Sequence, residues 1–226
     1  MPTSPIATAA DYADAMMAAR RAKNVLFLLL LVVIIAQVGI FIALRRSHDL
    51  FDQAAGLTAA TTQPLLSRGT LVRTLEYATA LCDFLGIVLV IVLSLVLLVL
   101  TMIMLVGRLI GVSKVTSAFI SCLLLMVLLF PWQSVLMTPL TNGAPETNFK
   151  VPGVLYTWGE ITHPTYGAKF DSSGATTFAI LRWARFVGWP AAALVLLLLV
   201  QSKSSRGLRL ALGEVEFDVA EGMPGV

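Results

Sequence analysis

Residues 85–106 form an uncharged apolar stretch that constrains the fold of this chain more than any other feature. The stretch consists of Leu, Ile, Val and Met, interrupted only by Gly86, Ser94 and Thr101. A helix rises about 1.5 Å per residue, so this segment extends about 33 Å, and the hydrocarbon core of a bilayer is about 30 Å thick. The stretch therefore predicts a helix that crosses a membrane.

The composition of the whole chain also indicates a membrane protein. Hydrophobic residues make up 58% of the 226 residues and charged residues only 13%, whereas a soluble domain has about 25% charged residues. The net charge of +3 is small and the basic residues flank the apolar segments, a pattern that disfavours nucleic acid as a partner.

Cys82 and Cys122 lie in or beside apolar segments, which predicts two free thiols. The cysteines and histidines have no spacing typical of a metal site, so we expect neither metal nor cofactor.

Three further apolar segments predict a bundle of four membrane-spanning helices. The expected spans within a membrane domain of residues 24–200 are 24–44, 77–107, 115–137 and 177–200. We expect an N-terminal helix at 1–23, and a tail at 201–226 with a strand-like alternation of acidic and apolar residues. About 38 residues rich in Gly and Pro predict an irregular loop between spans three and four. The predicted fold class is an all-α integral membrane protein, a four-transmembrane-helix bundle.

Basic residues beside the spans predict the orientation of the chain. Four spans place both termini on one side, and eight basic residues fall there: Arg20, Arg21, Lys23, Arg108, Lys114, Lys203, Arg206 and Arg209. The opposite loops hold six, and two of these, Arg45 and Arg46, directly follow the first span and favour the reverse orientation. Because the first span usually dominates and three basic residues precede it, we expect both termini in the cytoplasm of a plasma or inner membrane.

Five polar side chains fall at membrane depth, all in the half of the bilayer away from the termini. They are Gln37, Asp83, Gln133, Arg182 and Arg185. A charge in the bilayer costs about 2.5–3.5 kcal/mol on insertion scales, so charges that persist usually face the bundle interior and have partners. Arg182 and Arg185 are three residues apart and share a helix face. We therefore expect an interhelical cluster of Asp83 with both arginines, joined or flanked by the two glutamines.

Two other interpretations of these residues stay open. The arginines can extend to phospholipid headgroups while Asp83 caps the second span in water. If the cluster forms, it either stabilises contacts between helices or lines an outward-facing path for an anion. We expect the first of these roles, since interhelical hydrogen bonds commonly serve it.

The two histidines, His48 and His163, both fall in the outer loops beside acidic residues. A metal site or a pH-sensing site is one interpretation of them. The other, which we prefer, is that they are separate solvated side chains, because they are far apart in the sequence. No catalytic motif occurs at a useful spacing, so we expect no enzyme.

These features together predict a non-enzymatic multi-pass membrane protein. We expect it to be a structural or interaction subunit of a membrane assembly, in contact with the lipid bilayer and with other membrane protein chains or further copies of itself. The alternative is a small channel or transporter subunit whose outer vestibule for anions is lined by Arg182 and Arg185. Four short helices enclose no pore alone, so this alternative requires a symmetric ring of copies.

Overall fold

The structure of the chain, a computed structural model, is a bundle of four long helices. It describes residues 5–46, 70–130, 153–158, 161, 180 and 183–213, with the side chains of the first helix from 13 to 44. The helices are α1 (Pro5–Arg46), α2 (Thr70–Val106), α3 (Val112–Leu129) and α4 (Trp189–Ala211), the last preceded by a π-helical turn (Ala184–Gly188). The predicted all-α four-helix fold class is confirmed.

All four helices are long and apolar enough to cross a membrane, which supports an integral membrane protein. The 37 residues of α2 extend about 55 Å, well beyond a hydrocarbon core of about 30 Å. The N-terminal helix and the first span are one continuous helix, because no proline follows Pro5 before Arg46. The helix α4 continues eleven residues beyond Val200, the predicted end of the fourth span. Gly207 and Leu208 are buried, so one face of this extension still packs against the bundle.

The third helix ends at Leu129, eight residues before the predicted boundary at 137. Phe130 has φ −58° and ψ 132°, an extended conformation. Pro131 explains this, because a proline ring clashes with a helical conformation of the residue before it. Residues 131–152 lie outside the described part of the chain.

The helices pack in a ring in which α1 contacts α2, α2 contacts α3, α3 contacts α4, and α4 closes back on α1. We call the end of the bundle that holds residues 107–111 the turn end, and the end that holds residues 153–158 the loop end. The tight turn between α2 and α3 places Arg108 at φ 50° and Gly111 at φ 99°. Spans two and three therefore form the antiparallel hairpin that the short connection between them predicts.

Two glycines let α4 approach the turn closely. A Cβ atom on Gly207 would lie 2.6 Å from Cγ2 of Val115, and one on Gly111 would lie 2.7 Å from the carbonyl oxygen of Gly207. Real Cβ atoms essentially never lie within 3.0 Å of such neighbours, so a side chain at either position would force the helix and the turn apart. Glycine at both positions is therefore a condition for this helix crossing.

A proline accounts for the π-helical turn before α4. Pro190 has no N–H to donate to the carbonyl of Phe186, so the regular α-helical ladder is interrupted there. Instead, the N–H of Trp189 donates to the carbonyl of Ala184, five residues earlier. Arg185 and Phe186 belong to this wide turn and contact residues 153–158 at the loop end of the bundle.

Candidate functional site

Residues 153–158, which we call the plug segment, insert among the helices at the loop end. Val154, Leu155 and Tyr156 are at most 1% exposed. The N–H of Val154 donates to the carbonyl of Leu128 at 2.9 Å, and this carbonyl belongs to the last turn of α3, which has no intrahelical donor. A Cβ atom on Gly86 would lie 3.1 Å from both Cδ atoms of Leu155. The plug segment thus packs into the loop end of the bundle.

Tyr156 connects the plug segment to α1 and to the π-helical turn. Its ring packs edge-on against Phe186, with centroids 5.2 Å apart, and its hydroxyl donates to the backbone carbonyl of Gln37. Burial, followed by the nearby carboxylate of Asp83, raises the pKa of Tyr156 above its ordinary value. The hydroxyl therefore stays protonated and remains a donor across the physiological pH range.

Gln37 and Asp83, two members of the predicted cluster, are hydrogen bonded. Nε2 of Gln37 donates to Oδ1 of Asp83 at 2.6 Å and joins α1 to α2. The Gln37 side chain is 1% exposed, and its Oε1 has no hydrogen-bond partner among the described residues. This leaves an acceptor inside the bundle, directly beside a carboxylate.

Arg185 lies at the same end and holds the plug segment in place. Its Nη1 donates to the carbonyl of Gly153, and its guanidinium lies 5.9 Å from the ring centroid of Phe186. The charges of Asp83 and Arg185 both act on the Tyr156 hydroxyl, so both groups lie near it. Arg182, Gln133, His48 and His163 lie outside the described residues, so their parts in any site stay predictions.

A second polar layer, near the turn end, was not predicted from the sequence. Nζ of Lys23 donates to Oγ of Ser204 at 2.9 Å and to Oγ of Ser205 at 3.0 Å. The lysine is 1% exposed, and no carboxylate of the described residues pairs with it. Nearby, Gln201 donates to Asn24 at 3.0 Å. This layer therefore joins α1 to α4.

Apolar side chains fill the bundle between the two polar layers. Lys23 and Gln37 are 14 residues apart on α1, or about 21 Å along the helix axis. The buried side chains between them include Leu30, Ile34, Leu93, Leu97, Cys122, Leu125, Ala193 and Leu197. Among the described residues at this depth, Ser94 is the one buried polar side chain. The described residues thus form no continuous polar path through the interior.

The surface carries an apolar cavity of about 250 Å³ between α2 and α3. Ile87, Val90 and Met126 line it, together with other apolar side chains. Among the described residues, no group of three His, Cys, Asp or Glu side chains is placed to hold a metal ion. The polar chemistry of the described bundle is therefore concentrated in the two layers.

The hydrogen bond between Gln37 and Asp83 predicts a measurable coupling. We expect Gln37→Leu and Asp83→Leu to show an interaction free energy of about 1 kcal/mol in a double-mutant cycle, in the upper range for interhelical hydrogen bonds. Unfolding in mild detergent measures it. The control cycle pairs Gln37→Leu with Gln201→Leu, in the other layer, where additivity within about 0.5 kcal/mol is expected. Equal coupling in both cycles would show that the bond makes no specific contribution.

Comparisons with known proteins add no family to this description. Protein-family models, curated proteins and solved structures give no match to this chain. Its function is therefore inferred from its sequence and its geometry.

Proposed function

We propose that this chain is a non-enzymatic structural or interaction subunit of a membrane assembly. The observation that carries the proposal is the closed interior of the bundle. The plug segment is buried among the helices at the loop end, and about 21 Å of apolar core separates the two polar layers. A protein with such an interior acts through its surface. Its partners are the lipid bilayer and other membrane chains or further copies of itself.

The proposed orientation places both termini, and hence the turn end, in the cytoplasm of a plasma or inner membrane. Arg108, Lys114, Arg206 and Arg209 are all exposed or partly exposed basic residues near the turn end. Basic residues beside membrane spans are retained on the cytoplasmic side. The plug segment then faces the opposite side of the membrane.

A stripe of exposed apolar residues on α2 is the proposed contact surface. It consists of Tyr77, Leu81, Phe84 and Val88, which are 63%, 58%, 65% and 38% exposed. The spacing of four, three and four residues places them on one face of the helix. The stripe begins in the part of α2 that precedes the uncharged stretch of residues 85–106, at the end of the bundle where the plug segment lies. This position favours contact with another membrane chain.

The alternative is a small channel or transporter subunit for anions. The observation that favours it is the polar group at the loop end, where Arg185 and the Asp83 carboxylate that Gln37 contacts both lie near Tyr156. The apolar core would have to open, or several copies would have to form a ring around a shared path. Neither arrangement is required by the structural role, which we therefore prefer.

Site-specific crosslinking in native membranes tests the proposed function. A photoreactive amino acid at Leu81, in the stripe, is expected to give a discrete adduct with another protein chain. The matched control is Leu198 on α4, which is 55% exposed and equally apolar but outside the stripe. Adducts with lipid alone at both positions, together with anion flux into liposomes, would reject the structural role and support the alternative.

A further inference from the structure

The seam between α3 and α4 near the turn end brings lysines from both helices together. Nζ of Lys203 on α4 donates to Oγ of Ser117 on α3 at 3.0 Å. One helical turn nearer the turn end, Lys114 packs against Gly207, where an added Cβ would lie 3.3 Å from Cβ of Lys114. The close approach at Gly207 thus places two lysine side chains on successive levels of one seam.

The charge of this seam is entirely positive. Neither α3 nor α4 contains Asp or Glu, and no carboxylate of the described residues pairs with Lys203 or Lys114. Arg206, three residues after Lys203, is exposed on the same side of α4. A lysine has three N–H donors, and Ser117 accepts one from Lys203. The described residues supply no second acceptor, so two donors of Lys203 stay available for an anionic oxygen.

The seam lies where the apolar surface of both helices ends. Leu198 and Leu199 on α4, just before it, are 55% and 44% exposed, and Ile120 on α3 is 54% exposed. These side chains are typical of a surface that faces acyl chains. Polar residues replace them from Gln201 onward, so the lysines lie at the depth of lipid headgroups.

We propose that the α3–α4 seam binds the headgroup phosphate of an anionic phospholipid. Lys203 and Lys114 contact the phosphate, and Arg206 lies at the rim. Basic pockets between membrane helices on the cytoplasmic side recognise such headgroups, and that leaflet carries the anionic lipids. The inference uses the proposed orientation of the chain but does not depend on its partner protein.

The test uses the full chain, purified in detergent and titrated with phosphatidylglycerol or phosphatidylcholine, with native mass spectrometry as the readout. We expect one phosphatidylglycerol per chain and weaker retention of phosphatidylcholine. Each basic residue near a headgroup contributes about 1 kcal/mol, so Lys114→Gln with Lys203→Gln is expected to raise the Kd for phosphatidylglycerol about 30-fold. The matched control, Arg21→Gln with Arg108→Gln, removes the same charge near the turn end but outside the seam, and less than a threefold change is expected.

Three results would overturn the proposal. Equal weakening by both double variants would indicate diffuse attraction rather than a site, and equal retention of the two lipids would remove the selectivity for an anion. Lipid retention only after truncation following Gly213 would mean that the acidic residues 214–226 occupy the seam in place of lipid. Unfolding of each variant is measured in parallel to confirm that it folds. Crosslinking at Leu81 is an independent readout, so failure of this site and failure of the proposed function are distinguishable.

Discussion

Gly111→Ala is expected to lower the free energy of unfolding by about 3 kcal/mol or more. Gly111 has φ 99°, and a strained backbone of this kind costs a residue with a side chain about 1–3 kcal/mol. The new methyl group would also lie 2.7 Å from the carbonyl oxygen of Gly207, and such overpacking costs about 1–3 kcal/mol more. Equilibrium unfolding in mild detergent measures the loss.

Two other glycines separate the cost of the strained backbone from the cost of the close contact. Gly213 has φ 69° but no atom within 4 Å of an added Cβ, so Gly213→Ala measures the backbone strain alone. Gly39 is helical and also has open space around it, so Gly39→Ala is expected to be neutral or to stabilise by up to about 1 kcal/mol. If Gly111→Ala lowered the free energy of unfolding no more than Gly213→Ala, that result would contradict the close approach of α4 to the turn.

Leu155→Ala is expected to lower the free energy of unfolding by about 3 kcal/mol, as buried leucines do when truncated. Leu155 is 1% exposed and fills the space above Gly86 at the loop end. Truncation removes apolar contacts and leaves a cavity among packed helices, which relax only partly. The same unfolding measurement checks this, with protease susceptibility near the plug segment as a second readout.

A lipid-facing leucine provides the control for this change. Leu198 is 55% exposed on α4, so Leu198→Ala removes the same atoms from a surface that acyl chains can refill. We expect a loss below about 1 kcal/mol, since substitutions away from packed features have small effects. A cost at Leu155 no greater than at Leu198 would mean that the plug segment is not docked.

Most of the fold was predictable because it depends on composition along the chain. Uncharged runs of Leu, Ile and Val near 20 residues specify membrane helices without reference to tertiary contacts. Helix ends were less predictable. The polar residues after Val200 suggested an exit from the membrane, but polarity does not stop a helix, and Gly207 and Leu208 remain buried.

The plug segment was not predicted, although its sequence carries a signal. Three apolar residues, Val154, Leu155 and Tyr156, stand in a loop otherwise rich in polar residues, Gly and Pro. The sequence alone does not place Tyr156, because a local pattern cannot distinguish a side chain at the membrane interface from one buried in the bundle. The contacts of Tyr156 with Phe186 and with the Gln37 carbonyl, which only the folded structure shows, place it inside the bundle.

The sequence predicts the polar layer at the loop end in part, but not the layer near the turn end. Gln37 and Asp83 were placed together because antiparallel spans put them at the same depth, and the structure joins them by a hydrogen bond. Lys23 was interpreted only as a determinant of orientation. The same argument from depth, applied to Ser204 and Ser205 at the other end of the spans, would have identified their contact with Lys23.

Labelling of Cys122 tests the closed interior most directly. Cys122 is fully buried in the apolar core between the polar layers. In a Cys82→Ala background reconstituted in lipid, we predict no reaction of Cys122 with a hydrophilic maleimide. An added Ser202→Cys, at an exposed position on α4, should react readily, and Cys122 should react once the chain is unfolded in detergent. Labelling of Cys122 in the folded protein within tenfold of the Ser202→Cys rate would contradict a sealed bundle.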